Sequence, residues 1–166
     1  MTKLQFPTPT QLKPLPIFYQ GVVPAEYLDM MGHMNVRHYL SLFDEAAWEF
    51  FVGFGMDQAY YESKQGGAFA LQHFINYRAE VHQNDQLTVR ARMLGRSVKR
   101  VHFMLFMVNE TQNKLAATLE SLGSHADLIQ RRTSPFPPTI AANIDAILTK
   151  HNQLNWQAPI CGVINP

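Results

Sequence analysis

The chain has a single cysteine, Cys161, so no disulfide can form within it and a disulfide-stapled, exported domain is not indicated. An excess of charge of either sign is almost missing: the net charge is +1 and the pI about 7.9, a whole-molecule field too weak to recruit a nucleic acid. No apolar run approaches the ~20 residues that span a bilayer. The first sixteen residues hold prolines and two lysines but no apolar stretch of the secretory kind. These gaps lead us to expect a soluble, cytoplasmic protein with neither membrane nor nucleic acid as partner.

Several catalytic signatures are missing too. There is no Gly-x-Ser-x-Gly elbow for a serine hydrolase. Gly-x-Gly-x-x-Gly, Walker and His-Glu-x-x-His patterns are likewise not found. Seven histidines, at 33, 38, 73, 82, 102, 125 and 151, are scattered without a close ligand pair backed by a carboxylate. We therefore expect no metal and no cofactor.

What remains is a globular composition. The 166 residues are 46% apolar and 16% charged, enough for one core. Residues 16–23 are aromatic and β-branched, which reads as a strand closed by Pro24. A turn over 27–35 is punctuated by Gly32. Val36, Tyr39, Leu40, Phe43, Ala46, Ala47, Phe50 and Phe54 then recur at three- and four-residue spacing. That spacing predicts an amphipathic helix of about five turns. Asn35 would cap it, and Gly53 and Gly55 would stop it.

Beyond Gly66-Gly67 the period falls to two, with strands over 68–81, 86–94, 99–108 and 114–128 and a candidate bend at Gly123. Leu87, Val89, Ala91 and Met93 alternate with Thr88, Arg90 and Arg92, while 99–108 is apolar on both faces and so central in its sheet. Three prolines at 135, 137 and 138 precede a short helix over 139–150. A strand, a long helix and four successive strands make an α+β fold, an antiparallel sheet of about five strands wrapped round the helix. The expected division is a loose arm at 1–16, one domain at 17–150 and a tail at 151–166.

The most informative segment is Asp29-x-x-Gly32-His33-x-Asn35, at the mouth of the long helix. With its strand before and aromatic-rich helix after, it resembles the hot-dog-fold acyl-CoA thioesterases of the 4-hydroxybenzoyl-CoA thioesterase type. Asp85-x-Leu87-x-Val89, Lys99-Arg100-x-His102, Ala116-Ala117-Thr118-x-Glu120 and His125-x-Asp127 fit as well. Those later blocks look most like the betainyl-CoA thioesterase branch, associated with carnitine breakdown. The resemblance covers roughly 18–138. It implies the hot-dog fold, an acyl-CoA substrate whose CoA is no separate cofactor, and homodimers or homotetramers with active sites between subunits.

The chemistry agrees. A thioester needs a nucleophile or base at its carbonyl carbon and donors at its oxygen. A helix start offers free N–H groups and partial positive charge; the resemblance assigns the relevant amide to about Val36. Asp29 would attack directly or activate water. As an isolated residue, Asp29 reads as a helix-capping or turn carboxylate; the motif around it favours the catalytic role. Gly32 would let the thioester approach, His33 would brace the motif, and Asn35 is more a cap than a catalyst. Glu45, on the helix beside Asp44, is the rival carboxylate, because a second hot-dog thioesterase type uses one there. Arg96, Lys99, Arg100, Arg131 and Arg132 are candidates, as a group, for the CoA phosphates. Trp48, Phe51, Tyr60, Tyr61 and Phe69 are candidates for an acyl pocket, to hold a fatty chain or a betaine-like cation. A non-catalytic acyl-CoA-binding or assembly module is the alternative function, with a hot-dog dehydratase ranked below it.

Overall fold

The computed structural model describes residues 4–166; the first three residues of the expected arm lie outside the described residues. In chain order the elements are helix α1 (Pro9–Leu12), strand β1 (Ile17–Val22), the long helix α2 (Val36–Val52) and the short helix α3 (Gln58–Glu62). Strands β2 (Gly66–Tyr77), β3 (Gln86–Arg96), β4 (Arg100–Asn109), β5 (Lys114–Asp127) and β6 (Arg132–Thr133) follow, then helix α4 (Pro138–His151).

The sheet runs β1-β3-β4-β5-β2, antiparallel throughout, with the two-residue β6 on β5. β4 is the middle strand, as its two apolar faces require. Its side chains divide between two cores. Val101, Phe103, Leu105 and Met107 meet α2, whereas Met104, Phe106 and Val108 lie on the other side of the sheet. The bend expected at Gly123 takes the form of a bulge in the neighbouring strand: β2 carries Leu71 as an extra residue between Ala70 and Gln72, opposite Gly123 and Leu122.

α2 begins where Asn35, in extended conformation, accepts the Arg37 N–H on Oδ1 at 3.2 Å. Gly53 caps its end in right-handed conformation, and Gly55, at φ +103, turns the chain away. The buried face is Tyr39, Leu42, Phe43, Ala46, Phe50 and Phe51. Val36 and Leu40, expected in that face, are exposed instead, at 62% and 41%. With Trp48 and Val52 they form an outward stripe at four-residue spacing.

The arm is not loose. Thr8 and Gln11 close a capping box round α1, and Leu12 and Leu15 are buried with Trp156 of the tail against the outer sheet face. Arm and tail thus cover the side of β3 that reads as polar. Arg90 Nη1 donates to the Leu15 carbonyl at 2.5 Å and Arg92 Nη1 to the Trp156 carbonyl at 2.7 Å. α3 and β6 were not expected, and β2 stops at Tyr77, short of 81, because the Arg78 and Ala79 N–H groups both turn to the Ala116 carbonyl.

The turn before α2 is fixed at one end of the sheet. Met34 N–H donates to the Val81 carbonyl at 2.7 Å and Val23 N–H to the Asp85 carbonyl at 3.0 Å, just where β3 begins. Tyr39 of α2 meets Tyr77 of β2 edge-on at 5.1 Å. The far end carries the close of β3, the start of β4, the close of β5 and the start of β2.

Candidate active site

Residues 28–34 form a tight loop closed by a bridge between Leu28 and Met34. Asp29 N–H donates to the His33 carbonyl and Gly32 N–H to the Asp29 carbonyl, both at 3.0 Å. Gly32 has φ +84 with nothing near a would-be Cβ, so the backbone conformation requires glycine there. Asp29 Oδ1 accepts the Met31 N–H at 2.8 Å, and Oδ2 lies 3.7 Å from His33 Nδ1. The Asp29 side chain is 19% exposed. The His33 side chain thus lies beside the carboxylate at more than hydrogen-bond distance, while its backbone carbonyl takes the Asp29 N–H. Asn35 accepts Arg37 N–H on its side chain and His38 N–H on its carbonyl, so it is a cap. Asp29, Gly32, His33, Asn35 and Val36 share one helix mouth; seen in a single chain, the Asp29–Met31 bond is that of a turn carboxylate.

A cavity of about 100 Å³ opens between α2, α3 and β2. Its walls include Trp48, Phe51, Tyr61 and Phe69, with Asp44 and His73 as ionisable groups. Four of the five expected aromatics are there; Tyr60 is not. Asp29 is not in the lining either. The helix carboxylate at the cavity is Asp44. Glu45 belongs to another side of α2, where it raises the Tyr19 pKa after burial has done so. Burial lowers the His73 pKa against a smaller opposing pull from Asp44. Asp44 and His73 are 29 residues apart in sequence and have no shared motif to reveal them.

The five basic residues all lie at the far end of the sheet. From Gln86 to Arg96 β3 rises about 30 Å at ~3.3 Å per residue, so one chain separates them from its own Asp29 by that order. Arg96 is engaged by Asp145 of α4 through two bonds of 2.6 Å. That hydrogen-bonded pairing raises the Arg96 pKa and lowers that of Asp145. Arg131, at φ +54, stands 5.6 Å from the ring centre of Phe69, a wall of the cavity. Arg132 is in β6, opposite Asp127. Lys99 closes the turn between β3 and β4 and Arg100 opens β4, with the Lys99 carbonyl accepting the His125 N–H at 2.8 Å.

Tyr60 points to β5. Its hydroxyl is 2.6 Å from His125 Nε2, and His125 Nδ1 is 3.0 Å from the Ser134 carbonyl and 2.9 Å from Ser134 Oγ. The Gly66-Gly67 pair was the available signal, since glycine in a strand marks a close approach. A Cβ on Gly66 would overlap the Tyr60 hydroxyl and lie 2.9 Å from His125 Nε2. Among the described residues no helix is long and apolar enough to cross a membrane.

Comparison with known proteins adds the following. Residues 22–144 match the sequence model of the thioesterase-like superfamily. Betainyl-CoA thioesterase of Pseudomonas aeruginosa is 26% identical over 136 residues, 82% of this chain and 86% of that one. The L-carnitine dehydrogenase/betainyl-CoA thioesterase of Agrobacterium fabrum is 29% identical over 127 residues, 76% of this chain but 26% of that longer protein. A Staphylococcus aureus protein solved in complex with CoA superposes with a TM-score of 0.81 at 22% identity, covering 92% of this chain and 96% of the other.

Proposed function

Because the chain belongs to the thioesterase-like superfamily and has the hot-dog arrangement of a long helix packed on a curled antiparallel sheet, we propose that it is an acyl-CoA thioesterase, cleaving its substrate to a free acid and CoA. The observation that carries this reading is the meeting of Asp29 with the start of α2 in one braced loop. Asn35 takes the Arg37 and His38 amides, which leaves the Val36 amide for the thioester oxygen. Charge developing on that oxygen is stabilised by the amide and the positive helix end, an effect on the order of 3 kcal/mol in other enzymes. Asp29 acts on the carbonyl carbon, as nucleophile or through a water molecule. The carbon–sulfur bond then breaks and the thiolate of CoA leaves. On the nucleophilic route water next hydrolyses the acyl-aspartyl anhydride, and on the other route the activated water has already completed the free acid.

The site is completed by a second copy. β2 is a sheet edge with residues 70–74 exposed, and the outward stripe of α2 lies beside it. Pairing two β2 edges antiparallel brings the Asp29 end of one protomer beside the basic end of its partner. Arg131 and Arg132, free of the Asp145 pairing that holds Arg96, then serve the phosphates of CoA in the neighbouring site. The aromatic cavity with Asp44 takes the acyl group. Aromatic faces and one carboxylate suit a compact cation such as a betainyl group, in keeping with the activity named for the Pseudomonas aeruginosa relative.

The bond from Met31 to Asp29 favours one other reading, a module that binds acyl-CoA without hydrolysing it. Thiol release from betainyl-, acetyl-, octanoyl- and benzoyl-CoA decides between them. The native protein should turn over at least one, and Asp29→Ala should lose about 10²–10⁴-fold in kcat. Equal release by both proteins removes Asp29 from the mechanism. Intact acyl-CoA bound by both supports the binding module.

A further inference from the structure

We propose that Tyr60 is a positioning residue: through His125 and Ser134 it fixes the pitch of α3 and so holds Tyr61 as a selective wall of the acyl pocket. This rests on the thioesterase reading for its consequence, though its geometry stands apart from it.

α3 has five residues, too few to hold a helix by propensity alone, so tertiary contacts must fix it. Its cap is local: Asp57 Oδ1 accepts the Tyr60 N–H at 2.9 Å. Successive helical side chains point about 100° apart, and Tyr60 and Tyr61 accordingly reach different partners. Tyr61 lines the cavity and meets Trp48 edge-on at 4.8 Å. Tyr60 ties α3 to the sheet at His125, 65 residues away in sequence.

The tautomer of His125 sets the hydrogen-bond roles along this chain. The Ser134 carbonyl only accepts, so the proton of His125 is assigned to Nδ1. Nε2 is then bare and accepts from the Tyr60 hydroxyl. Burial of His125 lowers its pKa against smaller opposing pulls from Ser134, Asp127 and Pro135, in keeping with a neutral ring. His125 is itself fixed by its N–H bond to the Lys99 carbonyl, and Gly66 leaves the room that the Tyr60–His125 contact needs. At the other end of the lever, the Tyr61 hydroxyl is enclosed without a hydrogen-bond partner. The wall Tyr61 presents to an acyl group is therefore its ring, which favours a cationic or aromatic end over a short alkyl group. Selectivity therefore depends on where α3 holds Tyr61.

The test is a double-mutant cycle of Tyr60→Phe, Tyr61→Leu and the pair, in the full chain. Tyr60→Phe keeps its ring and loses only the hydroxyl that meets His125, whereas Tyr61→Leu removes the aromatic wall. The readout is kcat/KM for betainyl-CoA and benzoyl-CoA, each relative to acetyl-CoA, with kcat and KM separated. Each single variant should narrow the preferred ratio, Tyr61→Leu by about five-fold, through KM, as expected for one lost cation–π or ring–ring contact. The pair should lose no more than Tyr61→Leu alone, because Tyr60 acts through Tyr61. Additive losses, or equal losses on all acyl groups, overturn the proposal. Amide exchange over residues 57–65, read by mass spectrometry, should be about five-fold faster in Tyr60→Phe. If the native protein releases no thiol from any acyl-CoA, the thioesterase reading fails, and exchange alone decides the clamp: faster exchange supports it and unchanged exchange overturns it.

Discussion

His151 ends α4 with its Nδ1 accepting the Met93 N–H at 2.8 Å, beside the irregularity between Met93 and Gly95. Only an unprotonated ring accepts there. Burial first, then Arg92 and Lys150, lower its pKa to about 4. An unfolded histidine titrates near ~6.5. Between about 4 and 6.5 the unfolded chain therefore binds more protons, so this stability is full above the window and declines as pH falls through it. Glu120 works in the same sense. Burial raises its pKa, but the bonds from His102 at 2.8 Å and from Cys161 N–H at 2.7 Å outweigh that and leave it lowered. We expect the urea midpoint of the native protein to drop between pH 6.5 and 4, and that of His151→Gln to drop by less. An unaltered acid slope in the variant would clear His151 of the role. The sequence offers a scattered histidine and no more, for its partner is 58 residues away.

Among the elements, α2 was the most legible. Its start, cap and glycine stop follow from local chemistry that any chain obeys, and the structure agrees at Asn35, Val52 and Gly55. Which apolar residues face inward was less so. Val36 and Leu40 fit the same period as the core residues, and only the exposed edge of β2 alongside explains why they point outward. The alternation in β3 was also read correctly while its consequence was not, because a strand's pattern cannot announce that arm and tail will cover the face bearing Thr88 and Arg92. At the site, the Asp29 loop was visible as a motif. The cavity was half visible, since aromatics advertise themselves whereas Asp44 and His73 meet only through the packing of α2 on β2. α1 supplies the sharpest check. Leu12 is fully buried in the outer core, so Leu12→Ala should cost about 2–5 kcal/mol in urea unfolding, as a residue of the main core would. A loss below about 0.5 kcal/mol would show the arm to be dispensable.

At the scale of the molecule, the proposed shared site, with Asp29 far from the basic end of its own chain, makes assembly a condition of activity. Sedimentation of the native protein should give a dimer or a multiple of one. Phe74, 37% exposed on the open edge of β2, is the residue with which to test this. A charge there blocks edge pairing. Phe74→Lys should sediment as a monomer and lose thiol release while its far-ultraviolet spectrum stays native; a monomer with full activity would refute the shared site. The partition of the sheet into two greasy compartments has another outcome. Along most of β4 either set of alternate side chains would be content on either side, so hydrophobicity alone tolerates a slip by one residue. His102 and Asn109 do not tolerate it. Each finds its carboxylate, Glu120 or Asp85, only in the native alignment, at 2.8 and 2.6 Å. Two polar teeth near the ends of an otherwise interchangeable strand thus set its registration, a lock for the strand on which all the others are hung.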